Sequence, residues 1–431
     1  MYTARAKIAD SKRWQTTLVR ARVALGYFVL VAGLGLLLRW QMYSPVEGIN
    51  FKNILHAHSH VALLGWLYCA FFAALLYAFP PASAPARKSF NKQFMLTQFA
   101  VLGMLFTFPV QGYDIFSITF STFHILLSYR FAWSFYKQLK QQIKFTQSHP
   151  VAIRFISISL VFLVLSSIGP WAMGPIMAGG QTGSELYFSS IYFYLHFQYN
   201  GWFTFAVLGL FFWLLDSCGI RYNFQEAKRI CKLLAVACVL TFPLSVLWTK
   251  PAAAWYWVGG LGAILQVIGL LYFLSLLWKI RLEGSVKFKP WVKVLLLLAL
   301  ASLFIKTGMQ LASAFPAVAD LAYKVRYFII GYLHLSLIGF VSLFLLAFFI
   351  QQGHYRLSKA AKTGLILLLV FFILTEALMF LQGSLLWLRL SALPDFNSLM
   401  FWFSIGMPAG LMLFFYAQPS LGSNQTDSPN K

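Results

Sequence analysis

Acid is what this chain has least of. Asp and Glu number 11 in 431 residues, against 34 Lys and Arg, and charged residues of both signs make up only 10%. With 60% hydrophobic residues beside so little charge, the surface of a soluble protein of this length cannot be made, and an integral membrane protein is expected. Cysteine is nearly as scarce. Cys69, Cys218, Cys231 and Cys238 form no CxxC pair, and none falls in an expected external loop, so neither a disulfide framework nor a thiolate metal clip is indicated. No polar block is long enough for a soluble domain. No small-residue cleavage site follows the first apolar run, which therefore reads as a retained helix. No internal repeat is evident by eye.

Long apolar runs are what the chain has instead. They recur near 21–40, 55–79, 93–110, 117–136, 153–178, 186–215, 231–248, 254–279, 291–312, 327–350, 362–382 and 397–417. Unpaired backbone amides are intolerable in lipid and the runs are too long for barrel strands, so an all-α integral membrane protein of about twelve transmembrane helices is expected. The basic residues set its orientation. Arg5, Lys7, Lys12, Arg13, Arg20 and Arg22 precede or open the first run, and alternate loops continue the series through Arg87, Lys137, Lys228, Lys287 and Lys359; the opposite loops hold only Arg39, Lys52, Lys250, Lys324, Arg326 and Arg389. The asymmetry places both termini in the cytoplasm, in a plasma (inner) membrane. The resulting organisation is a basic segment 1–20, a transmembrane domain 21–417 and a disordered tail 418–431. The net charge of +23 is thereby assigned to short loops beside anionic lipid, and nucleic acid is not an expected partner.

Within this topology the histidines are out of place. Leu55-His56-Ala57-His58-Ser59-His60 opens the second apolar run, where ionisable groups are costly and usually mark a site. His124, His196 and His334 lie two to three turns into the fourth, sixth and tenth runs. At 1.5 Å per residue, all six fall roughly 5 to 15 Å below the outer boundary. His149 and His354 belong to cytoplasmic loops. His56 and His60 are four apart and share a helix face, while His58 points away. Imidazole is a ligand that haem iron, copper and zinc accept without thiolate help; the competing reading is a purely structural polar layer.

The segments His60 to Trp66 (with Val61-Ala62-Leu63-Leu64-Gly65) and Tyr332-Leu333-His334-Leu335-Ser336-Leu337-Ile338-Gly339, together with His196 in the sixth run, resemble the second, tenth and sixth helices of subunit I of the haem-copper oxidases and nitric oxide reductases. The chain is also similar in style to the haem- and copper-containing NnrS-like proteins. The resemblance implies a haem, with His58 or His60 as the helix-two axial ligand, His60 preferred as the deeper, and His334 as its partner. It implies a copper role for His196, with His56 and His124 as further metal ligands. The ligand set departs from the family. Residues 232–248 hold no histidine where the family has an adjacent pair, and the tenth run has one histidine rather than two. The implied activity is therefore electron transfer or O2/NO binding, supplied by an electron-donor protein or quinol, rather than full O2 reduction.

Other intramembrane polar groups extend the layer. Lys306 and Glu376 approach the same depth, and an ion pair between them, or a protonated Glu376, is the expected structural solution; a proton relay or a propionate-binding lysine is the functional one. Arg130 is placed either to meet a propionate or to snorkel inward. Gln198-Tyr199-Asn200 is polar enough to bond the second nitrogen of His196. Tyr113 and Asp114 occupy an external loop near the layer. Trp40, Tyr43, Tyr68, Trp248, Trp255 and Trp257 read as interfacial belts, and Pro170, Pro175 and Pro243 as helix kinks. A secondary transporter or metal-ion-binding membrane protein using the same histidines is the reading from another class, and an accessory protein that uses the layer only for packing is a third.

Overall fold

A computed structural model describes residues 4–146 and 148–419, with side chains from residue 12 and omitting those of 144–147. Most of the expected tail, 420–431, lies outside the described residues. Among those described there is no strand. The long helices are α1 (Ala4–Tyr43), α2 (Phe51–Ala78), α3 (Ala84–Gln111), α4 (Ile115–Thr146), α5 (Pro150–Ala178), α6 (185–217), α7 (Phe224–Thr249), α8 (Ala253–Lys287), α9 (Pro290–Ala312), α10 (Arg326–Gln351), α11 (Lys359–Trp387) and α12 (Phe396–Tyr416). Ten of them are long and apolar enough to cross a membrane. The other two, α4 and α6, have the length, but Ser, Thr, His, Gln and Asn residues dilute their apolar runs.

Local chemistry explains the boundaries. Asn50, Ser83, Ser184, Asn223 and Ser358 each accept a backbone N–H of the first turn that follows, satisfying donors that a helix start leaves orphaned. Two of the three prolines coincide with a change of winding, while Pro175 lies within a continuous helical stretch. α5 breaks at Ser167, because Pro170 lacks the N–H that would bond the Ser166 carbonyl, and the end of α7 tightens into a 3-10 helix over Phe242–Thr249 around Pro243. The basic segment is helical. Residues 4–20 are continuous with the first helix, and the candidate membrane span begins at Lys12. Its basic side chains are accommodated individually: Arg13 donates to the Tyr77 carbonyl and Arg20 to Asn91.

The chain divides into two compact units, 1–127 with 345–431, and 128–344. In the first, α1 packs on α2 and α12, and α11 lies against α12. That last crossing is close enough that a Cβ built on Gly364 would lie 2.6 Å from the Gly410 carbonyl, and one on Gly410 2.6 Å from that of Gly364; the pair is the small-residue contact that lets membrane helices approach without a hydrophobic driving force. In the second unit α5 packs on α6, α7 on α8, and α9 on α10. Burial singles out three helices. The apolar windows of α2 and α10 are 83% and 78% buried, against 33% for α8, and α6 is buried from His196 to Leu215.

Candidate functional site

Those three interior helices share a backbone device. Each changes from α to π winding for about two turns, over Val61–Leu67 in α2, Phe197–Phe203 in α6 and Leu335–Ser342 in α10. The residue immediately before each π segment is a histidine: His60, His196 and His334. Beyond each comes the same spacing, histidine, four residues, glycine, aromatic: Gly65-Trp66, Gly201-Trp202 and Gly339-Phe340. The chain therefore carries a threefold internal repeat that reading by eye misses. A π turn bonds five residues apart instead of four, which loosens the ladder. In each repeat a small polar side chain bonds the carbonyl five residues back: Cys69 to Leu64 (3.7 Å), Thr204 to Tyr199 (2.6 Å) and Ser342 to Leu337 (2.7 Å). Single-turn π-bulges are rare and concentrate at functional sites.

In the first repeat the imidazole presents its lone pair to a hydroxyl. His60 Nδ1 lies 2.8 Å from the His56 carbonyl; a carbonyl only accepts, so Nδ1 carries the proton and the Nε2 lone pair is left to face the Tyr113 hydroxyl at 3.2 Å. Phe108 packs 4.2 Å from the His60 ring, centroid to centroid, and Tyr113 stands edge-on to His56 at 4.5 Å. His56 and His60 thus share a face, as their spacing requires. His58 points to α1, donating to the Val31 carbonyl at 3.0 Å, and its ring would lie 3.1 Å from a Cβ on Gly35. His124, on α4, is buried within electrostatic range of His60. The Tyr68 ring meets it edge-on at 4.7 Å, and His124 Nε2 has no hydrogen-bond partner among the described residues. Tyr68 is 2% exposed, so its place in an interfacial belt is corrected: it lies in mid-helix, against His124. Trp40, Tyr43, Trp255 and Trp257 are exposed as a belt requires. Asp114 is occupied locally, accepting the Ile115 N–H at 2.7 Å.

The second repeat holds its histidine shut. His196 Nε2 donates to the Cys238 carbonyl at 2.8 Å, and Nδ1 faces both Ser245 Oγ and Asn200 Nδ2 at 3.2 Å. Asn200 Oδ1 in turn accepts Lys306 Nζ at 2.6 Å. The result is a directional buried chain, Lys306 to Asn200 to His196 to the Cys238 carbonyl. Tyr199 presents its ring 5.4 Å from Lys306 Nζ, and Gln198 bonds Ser166 at 2.9 Å rather than the histidine. The expected Lys306–Glu376 ion pair is replaced by this arrangement, because an amide oxygen on the π segment reaches the ammonium. Glu376 is buried in the other unit within electrostatic range of Arg39. Arg130 is exposed, as a snorkelling side chain would be. His334 is half-buried at the start of the third repeat.

As a copper ligand His196 fits poorly, since offering either nitrogen means giving up the Cys238 carbonyl or the Asn200 amide. No cluster of three His, Cys, Asp or Glu side chains suited to a metal ion occurs among the described residues. His60 fits an axial role better. Its proton is anchored on a carbonyl, which fixes the ring and leaves Nε2 as the donor atom, the arrangement usual for metal-ligating imidazoles.

His354 is a feature that its position in a loop conceals. It is buried between Trp14, stacked at 5.6 Å, and Tyr77, edge-on at 4.6 Å, and neither ring nitrogen has a hydrogen-bond partner among the described residues. Burial, aided by the charge of Arg13, pushes its pKa down to about 3. Compared with known families and curated proteins, the chain matches no family model and no curated protein.

Proposed function

We propose that this chain is a multi-pass protein of the plasma (inner) membrane, with twelve helices and both termini cytoplasmic, that binds a haem through the histidine layer of its outer half. His60 is the proposed axial ligand in the first unit, and His334 heads the repeat to be tested with it. One observation carries the reading: a π segment follows a histidine in each of the three most buried helices, and in the first the Nε2 lone pair faces the Tyr113 phenol rather than a carbonyl or an amide. The haem would supply one-electron chemistry or a site for O2 or NO; the protein's part is to anchor Nδ1, line the ring with Phe108 and exclude water. Copper at His196 is not part of the proposal.

A secondary transporter is the second reading, favoured by the Lys306–Asn200–His196 chain, since an intramembrane lysine bonded to an amide rather than a carboxylate is a plausible proton or anion station. Purification in detergent followed by absorption spectroscopy and iron, copper and zinc analysis separates the two. Haem binding predicts a Soret band with stoichiometric iron, lost in His60→Ala and retained in His58→Ala; the same loss in His334→Ala extends the reading to the third repeat. A colourless, metal-free protein that moves protons or an anion when reconstituted in vesicles supports the transporter.

A further inference from the structure

A cleft of ≈ 700 Å³, within the roughly 300–1,000 Å³ usual for ligand pockets, is formed by the second unit, with none of His149, His196 and His334 in its lining. α6, α8, α9 and α10 line it, and it opens to the outside past Trp278 and Leu297. Its walls are apolar, with Phe211 on α6, Phe273 on α8, Leu300 on α9 and Phe340 on α10, and its lining includes two cations, Arg281 and Lys293, and no carboxylate. Both cations stand at one end, where α8 finishes and α9 begins. The nearby acid, Glu283, is turned elsewhere and accepts the Arg221 N–H at 3.4 Å. Both cations are held by α8: Arg281 stacks 3.9 Å from the Trp278 ring, and Lys293, from α9, bonds the Ser285 carbonyl at 3.1 Å. Trp278 is 67% exposed, as expected of an aromatic at a membrane interface.

An apolar slot that ends in two ordered cations matches an amphiphile with a long hydrocarbon part and an anionic head. From this complementarity we propose that the cavity is a binding site for an anionic phospholipid, its acyl chain between Phe211, Phe273 and Leu300 and its phosphate at Arg281 and Lys293. Basic pockets between membrane helices are the usual place for such headgroups; Lys287 and Lys289, at the α8–α9 junction, are not in the lining. The site is independent of the histidine layer.

The test uses the full chain purified in detergent and incubated with phosphatidylglycerol or phosphatidylcholine of identical acyl chains, with retained lipid read by native mass spectrometry and thermal midpoint as a second signal. Phosphatidylglycerol is expected to be retained and to raise the midpoint, with phosphatidylcholine much weaker. Each basic group near an anionic head contributes about fivefold in affinity, so Arg281→Ala with Lys293→Ala weakens phosphatidylglycerol binding roughly 25-fold. Lys287→Ala with Lys289→Ala, which removes the same charge outside the cavity, leaves it unchanged, and Leu300→Trp, which fills the slot, abolishes it with both cations intact. Equal retention of the two lipids, equal loss in the two double variants, or undiminished binding by Leu300→Trp would overturn the proposal.

Discussion

His60 and His196 begin the same sequence motif and the same π-wound turn, yet their imidazoles are held in opposite ways. His60 is fixed through Nδ1 by its own helix, and its Nε2 lone pair faces a phenol. His196 is fixed through Nε2 by the Cys238 carbonyl, and its other nitrogen is committed to Asn200 and, through it, to Lys306. The backbone device is therefore general, and the chemistry is set by what the neighbouring helices offer. At His60 a hydroxyl meets the lone pair; at His196 a carbonyl and an amide engage both nitrogens.

The comparison can be broken most severely at the first repeat. His60→Ala is expected to abolish haem binding, whereas His196→Ala is expected to unfold part of the second unit while leaving any Soret band in the fraction that folds. The next largest effect falls on the second repeat. Asn200→Leu leaves the Lys306 ammonium buried without its acceptor, at a cost of about 1–3 kcal/mol or more for a charged group, and Lys306→Met in the same chain recovers most of the lost thermal midpoint. Gly201→Ala is expected to cost about 1–3 kcal/mol by overpacking, because the new Cβ would lie 2.6 Å from Phe162. Thr204→Val, which removes only the bond to the Tyr199 carbonyl, costs about 0.5–1.5 kcal/mol.

A pH series sharpens the contrast from a third place. The folded-state pKa of His354 is depressed to about 3, below its unfolded value near 6.5, so the unfolded chain binds the extra proton between the two. The stability that His354 contributes as a neutral ring is present above pH 6.5 and is lost as pH falls from there toward 3. His354→Phe is expected to flatten that part of the midpoint–pH curve.

Much of this was legible in the sequence. The helices follow from apolar runs because backbone amides have no other solution in lipid, and the common face of His56 and His60 follows from their spacing. The π segments were not legible, since one extra residue per turn leaves no mark on composition. The repeat was, in principle: histidine, glycine and aromatic recur at His60, His196 and His334 in the same register, but three matched positions separated by unrelated apolar residues do not stand out until the backbone aligns them. Lys306 took an amide partner rather than the expected carboxylate, a choice that only the packing of α9 against the bulged helix decides. His354 lies in a loop, and its enclosure depends on Trp14, more than three hundred residues away.

The central claim is that one motif yields a haem ligand at His60 and not at His196. Absorption spectra and iron content of the wild-type chain, His60→Ala and His196→Ala, each taken on monodisperse protein, test it directly. The account predicts a Soret band with stoichiometric iron in the wild type and in His196→Ala, and neither in His60→Ala. A Soret band that survives in His60→Ala, or a wild-type chain without iron, would contradict it.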